Sequence, residues 1–84
     1  MIPIVLIGAA GRMGLAVAEA LGGSDAMALK ARIERAGLPA PGDGLAPWGH
    51  DAATVIARGD VVVEFSSPAG AAAAATLCAE RGAG

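Results

Sequence analysis

Residues 1–14 read MIPIVLIGAAGRMG, and the fold turns on how this stretch is read. Ile2, Ile4, Val5, Leu6 and Ile7 form an apolar run ending on Gly8, and Gly11 and Gly14 follow at intervals of three. Such a run passing into spaced glycines reads as a buried strand, a tight turn and the start of a helix. The first glycine lets the chain turn with unusual dihedrals. The middle one lets the backbone approach a pyrophosphate, and the last lets the helix pack closely on the strand. The helix start then offers unpaired N–H groups and a partial positive charge to phosphates. The stretch is read as a dinucleotide site.

Outward from that turn, the first strand covers about residues 2–7, with Pro3 tolerated only because it lies near the strand's beginning. A helix is expected from residue 12 or 13 to 21, with Met13, Val17, Ala20 and Leu21 on its inner face and Gly22-Gly23 as its stop. Ser24-Asp25 turns the chain into a second strand, about residues 27–33. There Met27, Leu29, Ala31 and Ile33 alternate with Ala28, Lys30 and Arg32, the pattern of an edge strand with one partly wet face.

Residues 36–49 are rich in glycine and proline and read as a loop. Asp51 is placed to cap a short helix reaching about Arg58, with Gly59 as its end. Asp60 leads into a third strand over 61–65, the most β-prone run of the chain. Ser66-Ser67-Pro68 reads as a capping region before a last helix over about 69–81, which Gly82 ends.

The resulting order, βαβ(α)βα, specifies an α/β fold: a parallel three-stranded sheet with right-handed crossovers and flanking helices. This is half of a doubly wound sheet. The chain reaches Gly82-Ala83-Gly84 where a further strand is expected, so 1–84 is read as one truncated, incomplete domain. If the segment between Arg35 and Asp60 holds no strand, the sheet order is second, first, third. Its switch point then lies above Gly8, where ligands of open α/β sheets bind.

Composition narrows the function. The chain is 55% hydrophobic but 2% aromatic, with 13 glycines, which suits small-residue helix-on-sheet packing and argues against disorder. A net charge of −2 gives no electrostatic case for nucleic acid or an anionic membrane. The single cysteine, Cys78, excludes an internal disulfide framework and fits a reducing cytosol. The apolar start lacks the charged region and cleavage site of a signal peptide, and the alanines at 71–75 fall far short of the ~18 apolar residues of a span. A soluble, cytoplasmic protein is expected.

The glycine pattern is GxxGxxG rather than the strict GxGxxG, so context has to carry it. Glu34 closes the second strand 20 positions after Gly14, near the spacing of about 20 at which a carboxylate meets the adenosine ribose. The alternative is a packing turn with a solvated Glu34. Beside it, Arg35 is a candidate partner for a 2′-phosphate. Having both suggests a site that takes either NADH or NADPH. Arg12 either lies along the phosphates or faces water. His50 has no partner at a metal or triad spacing and reads as a surface residue. Cys78 reads as a small core residue and Trp48 as a cover of the loop against the sheet. Ser66 and Ser67 lack the His–Asp arrangement of a nucleophile.

The turn Gly8-Ala9-Ala10-Gly11-Arg12-Met13-Gly14 resembles the start of bacterial dihydrodipicolinate reductases. Glu34-Arg35 is similar to the pair after that family's second strand, and Val61-Val62-Val63-Glu64-Phe65-Ser66-Ser67-Pro68 resembles its VVIDFSxP segment, with Glu64 where the family usually has Asp. The resemblance implies a Rossmann-like fold and NADPH or NADH as cofactor. Gly8, Ala9, Ala10, Gly11, Arg12 and Met13 would contact it, Glu34 the ribose and Arg35 a 2′-phosphate, with Phe65 and Ser66 as minor contacts. It implies an enzyme of lysine and diaminopimelate biosynthesis that reduces a small cyclic dicarboxylate by hydride transfer, homo-oligomeric at full length. The family's GTTG segment and the histidine and lysine of its substrate domain have no counterpart here. The chain therefore carries no expected catalytic residue and no metal site, and alone it is expected to be inactive. Two rivals stand beside this reading: another nicotinamide-dependent oxidoreductase, and a stand-alone nucleotide-binding or regulatory module.

Overall fold

The computed structural model describes residues 2–34, 37–38, 46–65 and 68–84. Its strands are β1 (Ile2–Ile7), β2 (Met27–Ile33), β3 (Trp48–Gly49) and β4 (Val61–Glu64), and its helices are α1 (Arg12–Gly22) and α2 (Pro68–Arg81). The strands form one sheet in the order β3-β2-β1-β4, with every pairing parallel. The chain winds from β1 outward through β2 to β3 and then crosses over to β4 on the other side of β1, so the direction of winding reverses between β1 and β4. That is the expected order second, first, third, extended by one strand.

Side chains of β1 alternate across the sheet, so it feeds two cores. On the α1 side Leu6 packs with Ala9 and Ala18, backed by Val17, Leu29, Trp48 and Val63. On the other side Val5 and Ile7 pack with Ile33, Ile56 and Ala74, backed by Val62 and Leu77. Leu6 and Val5 are fully buried, as the continuous apolar run of a doubly covered parallel strand requires.

Four expectations are corrected. First, the sheet has four strands, because Trp48 and Gly49, inside the run read as loop, pair with Arg32 and Ile33. Nothing local signals a strand there. The pairing comes from the tertiary setting: Arg32 donates its N–H to Pro47 O at 2.8 Å, Trp48 joins the α1-side core, and the Arg32 guanidinium lies 5.3 Å from the centre of its ring. Second, β2 has no wet face along its latter half, where Arg32 is only 2% exposed. Alternation breaks at a bulge. Ile4 pairs with Leu29 but Val5 pairs with Ala31, leaving Lys30 as the extra residue. Leu29 thus packs on the α1 side and Ile33 on the opposite side, although their spacing puts them on one face of a regular strand.

Third, α1 turns Gly14 and Ala18 to the sheet, while Met13 is 59% exposed. The helix lies too near β1 for large side chains at the contact. Fourth, the helix after Asp51 shrinks to a 3-10 turn, Ala52–Thr54, capped by Asp51, whose Oδ1 accepts the Ala53 N–H at 3.0 Å. Beyond it the segment is held by side chains instead of a helical ladder. Lys30 Nζ reaches Val55 O at 2.9 Å and Asp60 Oδ2 at 2.5 Å, and Arg81 donates to Ala53 O and Ile56 O.

Pro68 opens α2, as expected of a residue without an N–H, and Gly82 leaves it at φ 72°. The Ser66-Ser67 cap and the Arg35 side chain lie outside the described residues. Gly84 donates to Asp60 O and accepts from Val62 N–H, at 2.9 and 2.7 Å, so the last residue lies along the outer edge of β4. Among the described residues no helix is long and apolar enough to cross a membrane.

Candidate dinucleotide site

The site lies at the carboxyl ends of β1, β2 and β4. Gly8 leaves β1 at φ 80°, a conformation that a Cβ opposes, and so starts the turn. The turn is bonded down to its neighbours: Gly8 and Ala9 both donate to Ile33 O (2.9 and 3.3 Å), and Gly11 donates to Gly8 O (3.4 Å). Gly14 is the packing glycine. A Cβ there would lie 2.6 Å from Gly8 O and 2.8 Å from Ala9 Cα. Gly11 is different, since its Cβ would meet only Gly8 O, at 3.7 Å. A side chain there would therefore not disturb the packing of the turn.

Glu34 follows β2 directly, and its Oε2 accepts the Ala10 N–H at 3.0 Å. The carboxylate expected at a ribose is thus fixed to the glycine turn across 24 positions of sequence. The bulge at Lys30 brings this about, because it moves the end of β2 half a repeat out of phase and turns Glu34 to the α1 side. A carboxylate has capacity for about four hydrogen bonds, so the Ala10 contact orients it without exhausting it.

The structure also sorts the expected contact residues. The N–H groups of Gly8, Ala9, Ala10 and Gly11 are engaged within the protein. Those of Arg12, Met13 and Gly14 belong to the first helical turn, which cannot satisfy them internally. Gly11 caps α1 without a side-chain hydrogen bond, and the first turn has no acid. The helix end therefore keeps its partial positive charge for an external anion. Arg12 and Met13 are exposed there. Phe65, 41% exposed, is drawn to the same end by its N–H bond to Ile7 O at 3.0 Å. Arg35 and Ser66 fall outside the described residues.

An uncapped, positive helix end and a carboxylate held on the adjoining turn suit a dinucleotide. Among the described residues no group of three or more His, Cys, Asp or Glu is arranged to hold a metal ion. A groove of about 270 Å³ lined by Ala18, Leu21, Gly22, Ser24, Met27, Ala28 and Leu29 lies near the start of β2, away from these groups.

Two residues matter more than their sequence context suggested. Asp60 is 3% exposed and takes the Lys30 ammonium together with the Ala57 N–H (2.9 Å). Burial works to raise its pKa, but the Lys30 hydrogen bond, the Ala57 N–H and the Lys30 charge outweigh it, so the pKa is lowered from 3.8. The one available signal was a lysine within a half-buried strand, which calls for a partner. His50 is exposed, as expected, yet its Nδ1 lies 2.9 Å from Glu34 O. Trp48 does cover the sheet, with Nε1 donating to Leu38 O at 3.2 Å. Cys78 is half-buried.

The family described as dihydrodipicolinate reductase, N-terminus, matches residues 2–84. Among curated proteins, 4-hydroxy-tetrahydrodipicolinate reductases of Anaeromyxobacter sp. (strain Fw109-5) and Anaeromyxobacter dehalogenans (strain 2CP-1 / ATCC BAA-258) are 34% and 35% identical over 98% of the chain. The chain spans 34% of the length of each. A solved dipicolinate-bound dihydrodipicolinate reductase from Paenisporosarcina sp. TG-14 superposes with a TM-score of 0.84 over 99% of the chain and 35% of its own, at 18% identity. At that identity the likeness is one of fold.

Proposed function

Because the chain belongs to the dihydrodipicolinate reductase N-terminus family, we propose that residues 1–84 form the NADPH- or NADH-binding part of a 4-hydroxy-tetrahydrodipicolinate reductase. The observation that carries this reading is the Glu34 carboxylate held on the Ala10 N–H, beside a helix start that no side chain caps and whose first turn holds no acid. In this assignment the first-turn N–H groups of Arg12, Met13 and Gly14 hold the pyrophosphate. Gly8 and Gly11 keep the approach clear, Glu34 accepts from the adenosine ribose hydroxyls, and Arg35 faces a 2′-phosphate.

A nicotinamide ring supplies hydride to the substrate when bound, and this chain's residues hold and orient it. The substrate is a small cyclic dicarboxylate, reduced to tetrahydrodipicolinate. The dipicolinate ligand of the Paenisporosarcina protein, itself a cyclic dicarboxylate, supports that class. No residue in 1–84 is assigned to proton or hydride transfer, and the groups that do this chemistry are assigned to a substrate domain of a homo-oligomeric, cytoplasmic enzyme.

The test is calorimetric titration of the protein with NADPH and NADH, repeated with Glu34→Ala. Losing charge-assisted hydrogen bonds of about 1.5–3 kcal/mol should weaken NADH by roughly 10- to 100-fold. NADPH should suffer less if Arg35 holds its extra phosphate. A folded protein that binds neither dinucleotide refutes the site. Binding unmoved by Glu34→Ala removes Glu34 from the ribose.

A further inference from the structure

We infer that His50 is a positioning residue for Glu34, setting the carboxylate's approach to the ribose by holding the main chain of the residue that carries it. The inference rests on the nucleotide reading above and extends it to a side chain on a different segment of the chain.

The observation is a ladder finished by a side chain. In a parallel pair, one strand's N–H and C=O groups alternate in bonding to residues two apart on its neighbour. Arg32 N–H donates to Pro47 O (2.8 Å) and Glu34 N–H to Gly49 O (3.0 Å), so β2 and β3 follow this rule. Its next rung would bring the Asp51 N–H to Glu34 O. The chain instead leaves β3 at His50, and Asp51 turns away to cap the 3-10 turn. His50 Nδ1 occupies the place of that rung, 2.9 Å from Glu34 O. A carbonyl only accepts, so Nδ1 carries the proton.

Glu34 is thereby held at three points: its N–H by Gly49, its C=O by His50 and its carboxylate by Ala10. Only the first is a regular rung. Without His50, Glu34 can turn about its N–Cα bond, a rotation that carries its carbonyl and its Cα–Cβ bond together and that the His50 contact to the carbonyl otherwise resists. A carboxylate that must meet both Ala10 and a ribose tolerates little of that motion.

Asparagine provides the discriminating variant, since its Nδ2 sits as many bonds from Cβ as Nδ1 of histidine does and also donates. Dinucleotide affinity is measured for His50→Ala, His50→Asn, Glu34→Ala and the double alanine variant, with an amide NMR spectrum of each to establish folding. The expected results are a roughly fivefold loss for His50→Ala, the size of one net hydrogen bond, recovery to within about twofold for His50→Asn, and no added loss from His50→Ala in the Glu34→Ala background. The Ala10 amide proton should move upfield in His50→Ala and return in His50→Asn. Wild-type affinity in folded His50→Ala, failure of asparagine to restore binding, or a full additional loss without Glu34 would each overturn the role. A folded wild-type protein that binds no dinucleotide removes the function itself, an outcome these variants do not produce.

Discussion

Gly14→Ala tests the packing on which the site depends. The added methyl carbon would sit 2.6 Å from Gly8 O, 2.8 Å from Ala9 Cα and 2.9 Å from Ala9 C. All three are backbone atoms, so no side chain can swing aside. Ordinary contact begins at 3.4 Å, which α1 can reach only by backing away from the turn by about 0.8 Å. Gly14 does not have a positive φ, so backbone strain plays no part and the penalty is steric. Overpacking of this kind costs about 3 kcal/mol at the upper end of the usual range. Alanine's better helix propensity returns about 1 kcal/mol, leaving a net loss of about 2 kcal/mol.

For 84 residues total stability is about 4–13 kcal/mol, so the loss is a large share. With a urea m-value near 1 kcal/mol per molar, the unfolding midpoint should fall by about 2 M. Gly22→Ala is the control. It lies in the same helix, its Cβ would meet nothing within 4 Å, and its midpoint should hold or rise slightly. Both are glycine-to-alanine changes within α1, and only the one at Gly14 carries a backbone clash. If Gly14→Ala is as stable as Gly22→Ala, the close β1–α1 contact does not exist and the argument for the turn fails.

Asp60→Asn should destabilise by about 1–3 kcal/mol at pH 7, since it weakens a charge-assisted bond to Lys30 in a buried setting. Its pH dependence has a definite sign. The native pKa lies below 3.8, so the native state binds the proton less readily than the unfolded chain. The stabilisation is complete above about pH 5 and is lost as pH falls through 3.8 and below, and Asp60→Asn should flatten that limb of a stability–pH curve. Arg81→Ala removes the donors to Ala53 O and Ile56 O, and should cost about 1–3 kcal/mol. Hydrogen exchange should then quicken at Val55 and Ile56 before it does at Val5 or Leu6, and uniform acceleration would contradict this local role.

Local chemistry alone was enough for the main elements. The apolar run into Gly8, the stops at Gly22 and Gly82, and Pro68 at a helix start each act within a few residues. The strand spans 2–7 and 27–33 were therefore legible, as were the parallel order around β1 and the pairing of a glycine turn with an acid. Three features came only from the tertiary structure, because each depends on groups distant in sequence. Trp48 and Gly49 are a strand only because Arg32 and Glu34 present an open edge to them. Lys30 is a bulge only because β1 offers no partner between Ile4 and Val5. The inner face of α1 is Gly14 and Ala18, since hydrophobic periodicity registers large side chains while a close helix–strand contact selects for their absence. The bulge bears most on function. Spacing placed Glu34 near the right distance from the turn, but the one-residue slip in β2 pairing turned its carboxylate to the side where Ala10 holds it.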